Sequence, residues 1–544
     1  MPRSSRARAR AVPALLLAVA AAAASCSDRV LDTAPVGELN TENFYQNEKE
    51  FESATLAPYS TLLNLYYSDN TRGYWHAHLL PDDDVRVSHD DAQQSRRGAD
   101  EFNWVPGNEA FDWTWTEAYK GVMRANLVLD RLPAARRFAD DRNKARFEAE
   151  AKFMRAYFYF LLARNFGAVP LVDKTITDVG ASQVANSEPA QVWDLIEADL
   201  DFARKNLPAT WGDADLGRAT PGAAAALLGK VRLYRAQWFR DNAKYQQAVE
   251  AFNEVVNGGK YDLVPSYGDN FLEARENNRE SVFEVQMSRG DFNPWLPTDF
   301  PGNVGAAGSG RVIVSAANCG PTNVCAPGAG GHGYGQLHVT AGLQAAFEPG
   351  DPRRFYTLYS AGEDYAGQPY NPLWSVTGST PAKYLRGTFK NEGFPPNITT
   401  NNERVLRYAD VLLMLAEAEL RGNGNVARAA SLVNRVRARA RASDAAAYGR
   451  PAPAGLLPDV PAAGAPQAWL RTYLMPERRV EFALEGSRYD DLVRWHRAGL
   501  INIKTDVNFG SPIANQNWRE AFLLKPVPQT ERDVNPNLKQ NDGY

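Results

Sequence analysis

The segment "ERRVEFALEGSRYDDLVRW", residues 477–495, concentrates carboxylates and guanidinium groups. A pair of carboxylates at a suitable separation can cleave a glycosidic bond by acid–base catalysis. Each carboxylate here has arginines nearby in sequence, and a neighbouring guanidinium holds a carboxylate in its ionised form. A general acid needs the opposite shift in pKa. The pattern therefore favours a structural network of ion pairs between helices over a catalytic pair. Its members are Glu477, Arg478, Arg479, Glu481, Glu485, Arg488, Asp490, Asp491 and Arg494.

A second acidic cluster, "LLPDDDVRVSHDD", contains Asp82, Asp83 and Asp84, with His89, Asp90 and Asp91 a few residues later. Calcium takes six to eight oxygen ligands, and carboxylates supply them. The cluster lacks the spaced Asp and Gly residues of a dedicated calcium loop. We therefore expect a solvated or capping loop with no metal, and calcium binding near Asp82–Asp84 stays an open alternative.

Aromatic side chains in three loop-like segments are candidates for ligand contact. A flat ring packs without strict direction against the C–H face of a sugar or against a peptide side chain. The alternative is that these rings close their loops onto the core. The rings are Tyr74 and Trp75 in "TRGYWHAH", Phe292, Trp295 and Phe300 in "GDFNPWLPTDFPGN", and Tyr370 and Trp374 in "GQPYNPLWSV". Polar neighbours that would orient a ligand are Arg72, Asn293 and Asn303.

Other chemistries find little support in the sequence. No Ser/His/Asp set and no zinc-ligand spacing is visible, and the glycines of residues 301–310 do not follow a strand and open a helix, as a nucleotide-binding loop would. A net charge of −4 provides no broad basic surface for nucleic acid. We therefore predict no catalytic residue, no cofactor and no nucleic-acid partner.

The N-terminus has the pattern of an export signal. Arg3, Arg6, Arg8 and Arg10 precede an apolar run, residues 11–25, which is shorter than the roughly 20 residues of a membrane span. The run ends in Ala23-Ala24-Ser25-Cys26, which resembles the cleavage site of bacterial lipoproteins, although Leu is usual at the place of Ala23. We expect acyl chains, such as palmitate, on Cys26. The alternative is an ordinary secretory signal with a chance cysteine.

The two remaining cysteines, Cys319 and Cys325, lie in the loop "NCGPTNVCAPG". Exported proteins keep disulfides, so we expect these two to pair and stiffen the loop. A metal site is the alternative, with His332 and His338 as the nearby imidazoles.

Helical periodicity dominates the rest of the chain. Helices are predicted around 112–132, 147–165 and 189–207, and two helix pairs follow, each broken by a short polar turn. The apolar stripes of the first pair are Leu227, Val231, Tyr234 and Trp238, then Tyr245, Ala248, Phe252 and Val255. Those of the second are Ala409, Leu412, Ala416 and Leu420, then Val426, Ala429, Val433 and Val436. Small alanines between such stripes favour tetratricopeptide-like hairpins.

Three further segments complete the predicted organisation. "SVFEVQ", residues 281–286, is predicted to be a short strand, and residues 287–335 an ordered functional loop. The Ala/Pro-rich residues 441–467 are predicted to form a surface excursion.

Six segments in order resemble the RagB/SusD family of outer-membrane nutrient-uptake lipoproteins. They are "LDTAPVGELNTENFYQNEKEF", "AEAKFMRAYFYFLLARNFGAVPLV", "GRATPGAAAALLGKVRLYRA", "LRYADVLLMLAEAEL", "ERRVEFALEGSRYDDLVRW" and "PVPQTERDVNPNLKQNDGY". The resemblance runs from the lipid cysteine to the last residue. It implies a mainly α, SusD-like fold with minor β structure, in which tetratricopeptide-like helix hairpins support a loop-rich binding face.

The resemblance also implies a function and a division of the chain. The expected regions are a signal peptide (1–25), a lipidated tether (26–34), an N-terminal region with helix pairs (35–220) and a C-terminal region with binding loops 287–335 (221–544), all in one compact fold. Members capture oligosaccharides or peptides for a TonB-dependent, SusC-like transporter at the outward face of the outer membrane, and they are binders rather than enzymes. The alternatives are an exported glycoside hydrolase and a tetratricopeptide-type assembly scaffold.

Overall fold

The computed structural model describes residues 44–66, 73–87, 93–135, 138–178, 180–287, 337–365, 368–370, 375–383, 402–443 and 457–544. These ranges are mainly α-helical, and the strands within them form four two-stranded antiparallel sheets. The predicted fold class is confirmed. No helix in these ranges is both long enough and apolar enough to cross a membrane.

The helices differ widely in length. They are α1 Glu48–Tyr66, α2 Tyr74–His78, α3 Gln94–Asp100, α4 Glu109–Arg131, α5 Asp141–Phe166, α6 Pro189–Asn206, α7 Pro221–Phe239, α8 Ala243–Asn257, α9 Ala341–Ala346, α10 Arg353–Thr357, α11 Tyr408–Asn423, α12 Val426–Ala442, α13 Pro466–Trp469, α14 Met475–Glu481, α15 Arg488–Arg497, α16 Ile503–Asp506, α17 Pro512–Asn517 and α18 Gln529–Val534. The strands are β1 Val85–Val87, β2 Ser281–Val285, β3 Leu337–Val339, β4 Leu358–Ser360, β5 Asp364–Tyr365, β6 Gln368–Pro369, β7 Ser379–Pro381 and β8 Glu403–Arg407.

The long helices pack in series and form the scaffold. Helix α1 packs on α4, α4 on α5, and the contacts continue through α6, α7 and α8 to α11 and α12. Each pair buries the apolar stripe of both members, as a tetratricopeptide-like hairpin does. The helices and the stripes predicted from the sequence are confirmed.

Glycines allow two of these contacts to be close. A Cβ added to Gly121 of α4 would lie 2.2 Å from the Phe158 ring of α5, and one on Gly229 of α7 would lie 2.6 Å from Phe252 of α8. Real Cβ atoms do not approach so closely, so each glycine creates the space that a facing phenyl ring fills. Local sequence at these two positions therefore determines how near the helices come.

Side-chain caps set where several helices begin. Asn108 accepts a hydrogen bond from the N–H of Ala110 at the start of α4, and Asp140 accepts one from Arg142 at the start of α5. Both helices thus begin before their apolar periodicity does, which is why they extend N-terminally beyond the predicted bounds. Thr220 caps α7 by accepting a hydrogen bond from the N–H of Ala223, and Pro221 lies in the first turn.

The strand predicted at 281–286 is confirmed as β2, and its partner is β8, which the sequence did not reveal. The predicted surface excursion holds for residues 458–459 and 461–465, which are exposed, but is wrong at two positions. Leu457 and Val460 are buried, and Asn434 of α12 exchanges two hydrogen bonds with the backbone of Val460. Residues 444–456 and nearly all of the predicted loop 287–335 lie outside the described residues.

Candidate functional site

Two of the aromatic residues proposed for ligand contact lie in the core. Tyr74 and Trp75 belong to helix α2 rather than to a loop, and Trp75 is 0% exposed. Gly486, at φ 68°, approaches the Trp75 ring so closely that a Cβ there would lie 3.0 Å from it. The expectation that these two rings lie in a loop and face ligand is therefore corrected: they join the N-terminal hairpins to the C-terminal half.

Tyr370 also packs inward. Its ring makes an edge contact with Tyr359 at a centroid distance of 5.1 Å, within a small aromatic cluster that includes Tyr267 and Tyr356. The alternative that this ring closes its loop onto the core is the one the structure favours. The remaining predicted site residues lie outside the described residues, namely Cys26, Arg72, Phe292, Asn293, Trp295, Phe300, Asn303, Cys319, Cys325 and Trp374.

The acidic and basic residues of 477–494 form the predicted ion-pair network. Glu481 is 0% exposed and bonds to three guanidinium groups: Arg353 at 3.0 Å, Arg407 at 3.1 Å, and Arg439. Burial opposes ionisation of Glu481, but these arginines outweigh it and lower its pKa to about 2. A carboxylate held in this way cannot act as a general acid near neutral pH.

The network continues between the helix hairpins. Arg494 of α15 is 0% exposed and bonds to Glu417 of α11 at 2.6 Å, and Arg478 bonds to Asp410 of α11 at 3.0 Å and to Asp491 at 2.9 Å. These pairs connect α11, α14 and α15. The structural interpretation of the segment is confirmed.

The Asp82–Asp84 cluster is buried, so its predicted solvation is wrong. Arg488 bonds to Asp83 at 2.7 Å, and Arg479 bonds to Asp84 at 2.7 Å. The capping part of the prediction holds, because Asp82 accepts hydrogen bonds from the N–H groups of Asp84 and Val85. Within the described ranges, no group of three or more His, Cys, Asp or Glu side chains is arranged to hold a metal ion.

An open cavity of about 780 Å³ lies beside helix α3. We call it the polar cleft. Its lining residues are Gln93, Gln94, Ser95, Arg97, Gly98, Glu101, Asn103, Val105, Gly107, Asn108 and Glu109. It is therefore built from α3, the turn that follows, and the first residue of α4.

Hydrogen bonds between side chains and the backbone fix the walls of the polar cleft. Asn108 caps α4 and also donates to the Ser95 carbonyl at 3.0 Å. The indole of buried Trp104 donates to the Ala99 carbonyl at 3.0 Å, and Asn517 donates to the Glu101 carbonyl at 2.8 Å. These contacts hold the turn against α3 and against the C-terminal region.

Several polar groups on the walls are available to a ligand. The side chains of Arg97, Glu101, Asn103 and Glu109 make no hydrogen bond or ion pair with another residue of the described ranges, and Asn103 and Glu109 are exposed. A guanidinium donates, a carboxylate accepts and an amide does both. This set suits a ligand with many hydroxyl groups.

Sequence reasoning did not identify the polar cleft. The available signal was the short turn "NWVPGN" ahead of the helix predicted around 112–132, where Pro106-Gly107 marks a turn and no periodicity requires Asn103 to be buried.

Comparison with known proteins identifies the family to which this chain is similar. A model described as "SusD family" matches residues 346–544, and one described as "Starch-binding associating with outer membrane" matches residues 51–233. The SusD-like protein P2 of Formosa agariphila is 27% identical over 541 residues, which cover 95% of this chain and 97% of the relative.

The chain belongs to the RagB/SusD family. Solved structures agree with this assignment. A laminarin binding SusD-like protein is 28% identical with a TM-score of 0.70, and the match covers 92% of this chain and 100% of the other. A SusD superfamily protein from Parabacteroides distasonis shares the fold, with a TM-score of 0.73 at 21% identity over 93% of this chain and 100% of the other.

Proposed function

We propose that this RagB/SusD protein captures carbohydrate oligomers at the outer membrane and passes them to a partner TonB-dependent, SusC-like transporter. The observation that carries the proposal is the polar cleft, because its fixed walls present donors and acceptors without partners among the described residues. A relative that aligns with nearly the whole chain is described as laminarin binding, which favours a glycan over a peptide.

The protein binds its ligand without cleaving it. A glycosidase needs one carboxyl group that is protonated and one that is ionised, at a fixed separation across a cleft. The carboxylates of the 477–494 segment are engaged by arginines inside the fold, and Glu481 is held ionised by three of them. The arrangement supports a receptor rather than the exported hydrolase.

The binding surface of the proposal combines the polar cleft with the sequence-predicted contacts. Trp295, Phe292, Phe300 and Trp374 would stack on the ligand, while Arg72 and Asn293 would orient it. These six assignments rest on residue type and on the family resemblance. Acylation of Cys26 would hold the receptor at the outward face of the membrane, beside its transporter.

The double substitution Arg97→Ala/Asn103→Ala is expected to weaken glycan binding by about 30- to 2000-fold. The loss corresponds to one charged and one neutral hydrogen bond, about 1.5–3 and 0.5–1.5 kcal/mol. Migration of the protein in native gels that contain dissolved polysaccharide measures the affinity. Melting temperature should change little, because neither side chain is bonded within the described ranges.

The matched control is Glu250→Ala, which removes an exposed side chain from α8. The control should migrate like the wild type. Trp295→Ala in the same gels tests the stacking assignment separately. If the double variant migrates as the wild type does, in a gel that retards the wild-type protein, the polar cleft is not part of the binding site.

A further inference from the structure

A second cavity, of about 50 Å³, is partly open and lies among mostly buried residues. We call it the junction cavity, because side chains of α1, α2, α5 and α7 meet β8 and the start of α15 around it. It contains no part of the polar cleft and none of the residues proposed to bind glycan other than Tyr74, which the structure places in the core.

Glu403, the first residue of β8, lines the junction cavity and is only 6% exposed. No hydrogen bond or ion pair joins its carboxyl group to another residue of the described part of the chain. A buried carboxylate without a counter-charge is costly, and in proteins such a group takes up a proton instead.

The cations around the cavity are already engaged by other carboxylates. Arg164 of α5 pairs with Asp490 at 2.8 Å, and Lys230 of α7 pairs with Asp410 at 3.0 Å. The neighbour of Glu403 on β8, Arg404, lies 3.6 Å from Glu284 of β2. None of the three is within ion-pair distance of Glu403.

The remaining acidic residue on the cavity wall, Glu485, does not stabilise a negative charge on Glu403 either. Glu485 is bonded to Arg407 at 2.8 Å and to Lys383 at 2.7 Å. Its negative charge, with that of Glu284, disfavours a second charge on Glu403.

Hydroxyl groups complete the lining. Tyr66 and Tyr157 hydrogen-bond to each other, and Tyr74 accepts a hydrogen bond from Arg164 at 2.6 Å. The buried Ser487 hydroxyl has no hydrogen-bond partner among the described residues. A water molecule needs about 10–15 Å³ of such space and two to four polar partners, so the cavity has room and partners for water.

We propose that the junction cavity is a proton-binding site of the folded protein, in which Glu403 is a neutral carboxylic acid at neutral pH and bonds to water in the cavity. Burial is the largest cause that raises the pKa of Glu403 well above its usual value; Arg404 opposes the shift, and Glu485 and Glu284 add to it.

The stability that Glu403 contributes at the junction between the helix hairpins and the C-terminal half should therefore depend on pH. Since the folded state binds this proton more tightly than the unfolded state, the stabilising contribution is complete below the unfolded pKa, near 4.5. It is lost as pH rises towards the folded pKa. Within that window the contribution of Glu403 to the folding equilibrium constant falls about tenfold for each pH unit.

The test compares the wild-type mature chain with Glu403→Gln in denaturant titrations at several pH values from 5 to 9. The amide that this substitution introduces cannot lose a proton, so the variant should differ least from the wild type at pH 5 and become progressively more stable than it as pH rises. Glu250→Gln, the same change at an exposed position on α8, should follow the wild type at every pH.

Other buried groups also titrate, and the difference between wild type and variant isolates Glu403 from them. Glu403→Leu, of similar volume and also without a proton to lose, gives a second comparison if the Gln variant does not fold. Parallel stability curves for wild type and variants would overturn the proposal. So would a wild-type stability that rises with sodium at constant ionic strength, because a bound cation would then compensate an ionised Glu403.

Discussion

Replacing Glu481 with alanine lowers the free energy of unfolding by about 3–5 kcal/mol, the usual cost of removing one partner from a buried ion pair. The carboxylate is 0% exposed and bonds to Arg353 of α10, Arg407 of β8 and Arg439 of α12. Its loss leaves three arginines with reduced counter-charge inside the fold. Denaturant titration at pH 7 measures the difference.

The control for this substitution is Glu254→Ala. Glu254 forms an ion pair with Arg204 at 2.8 Å on the surface, where its side chain is 47% exposed. Such a pair is worth less than about 1 kcal/mol. An equal loss of stability in the two variants would contradict the placement of Glu481 in a buried ion-pair network.

The same network predicts a direction for acid unfolding. The pKa of Glu481 is about 2 in the folded protein, below its ordinary value of 4.5. Its contribution to stability is therefore present above pH 4.5 and is lost as pH falls towards 2. The junction cavity acts in the opposite direction, because Glu403 favours the folded state at low pH.

Replacing Cys26 with serine is expected to release the protein from membranes while the folded domain stays intact. Each acyl CH₂ buried in a bilayer contributes about 0.8 kcal/mol, so the loss of all chains removes the anchor. Fractionation of cells that express the full chain, with the mass of the N-terminal peptide, measures both attachment and acylation.

Cys319→Ser is the matched control, since it makes the same change at a cysteine outside the signal. It should leave the protein in the membrane fraction. Retention of the Cys26→Ser variant in that fraction would contradict the lipid anchor.

The helical scaffold could be predicted because its signals are local. The stripe of Leu227, Val231 and Tyr234 repeats with the helical period, and Thr220-Pro221 marks the start of α7. The same reasoning recognised the ion-pair network, since carboxylates and arginines alternate within one segment. The sequence did not identify the partners of the network that lie far away in the chain, such as Arg353.

The placement of single side chains could not be predicted, because it depends on residues far away in sequence. Asp83 looks solvated in its own segment, but its partner Arg488 lies 405 positions later. Trp75 follows a turn-like stretch, but Gly486 covers its ring. Residue type alone could not distinguish a ring that binds sugar from one that fills the core.

Glu403 is another side chain whose surroundings could not be predicted from the sequence. In the segment "NNERVLRY" it sits beside an arginine, which suggests an ordinary surface pair. In the structure both residues line the junction cavity, but Arg404 lies 3.6 Å from Glu284 and forms no ion pair with Glu403. The carboxylate nearest to Arg404 is thus on β2, far away in sequence.

Isothermal titration calorimetry of the chain from residue 27 onward, against plant, algal and host oligosaccharides and against peptide digests, tests the proposed capture of glycans most directly. We expect saturable binding of at least one oligosaccharide class, with no hydrolysis products when the ligand is recovered. Binding of peptides alone would contradict the glycan assignment. Recovery of cleaved sugars would show an enzyme instead of a receptor.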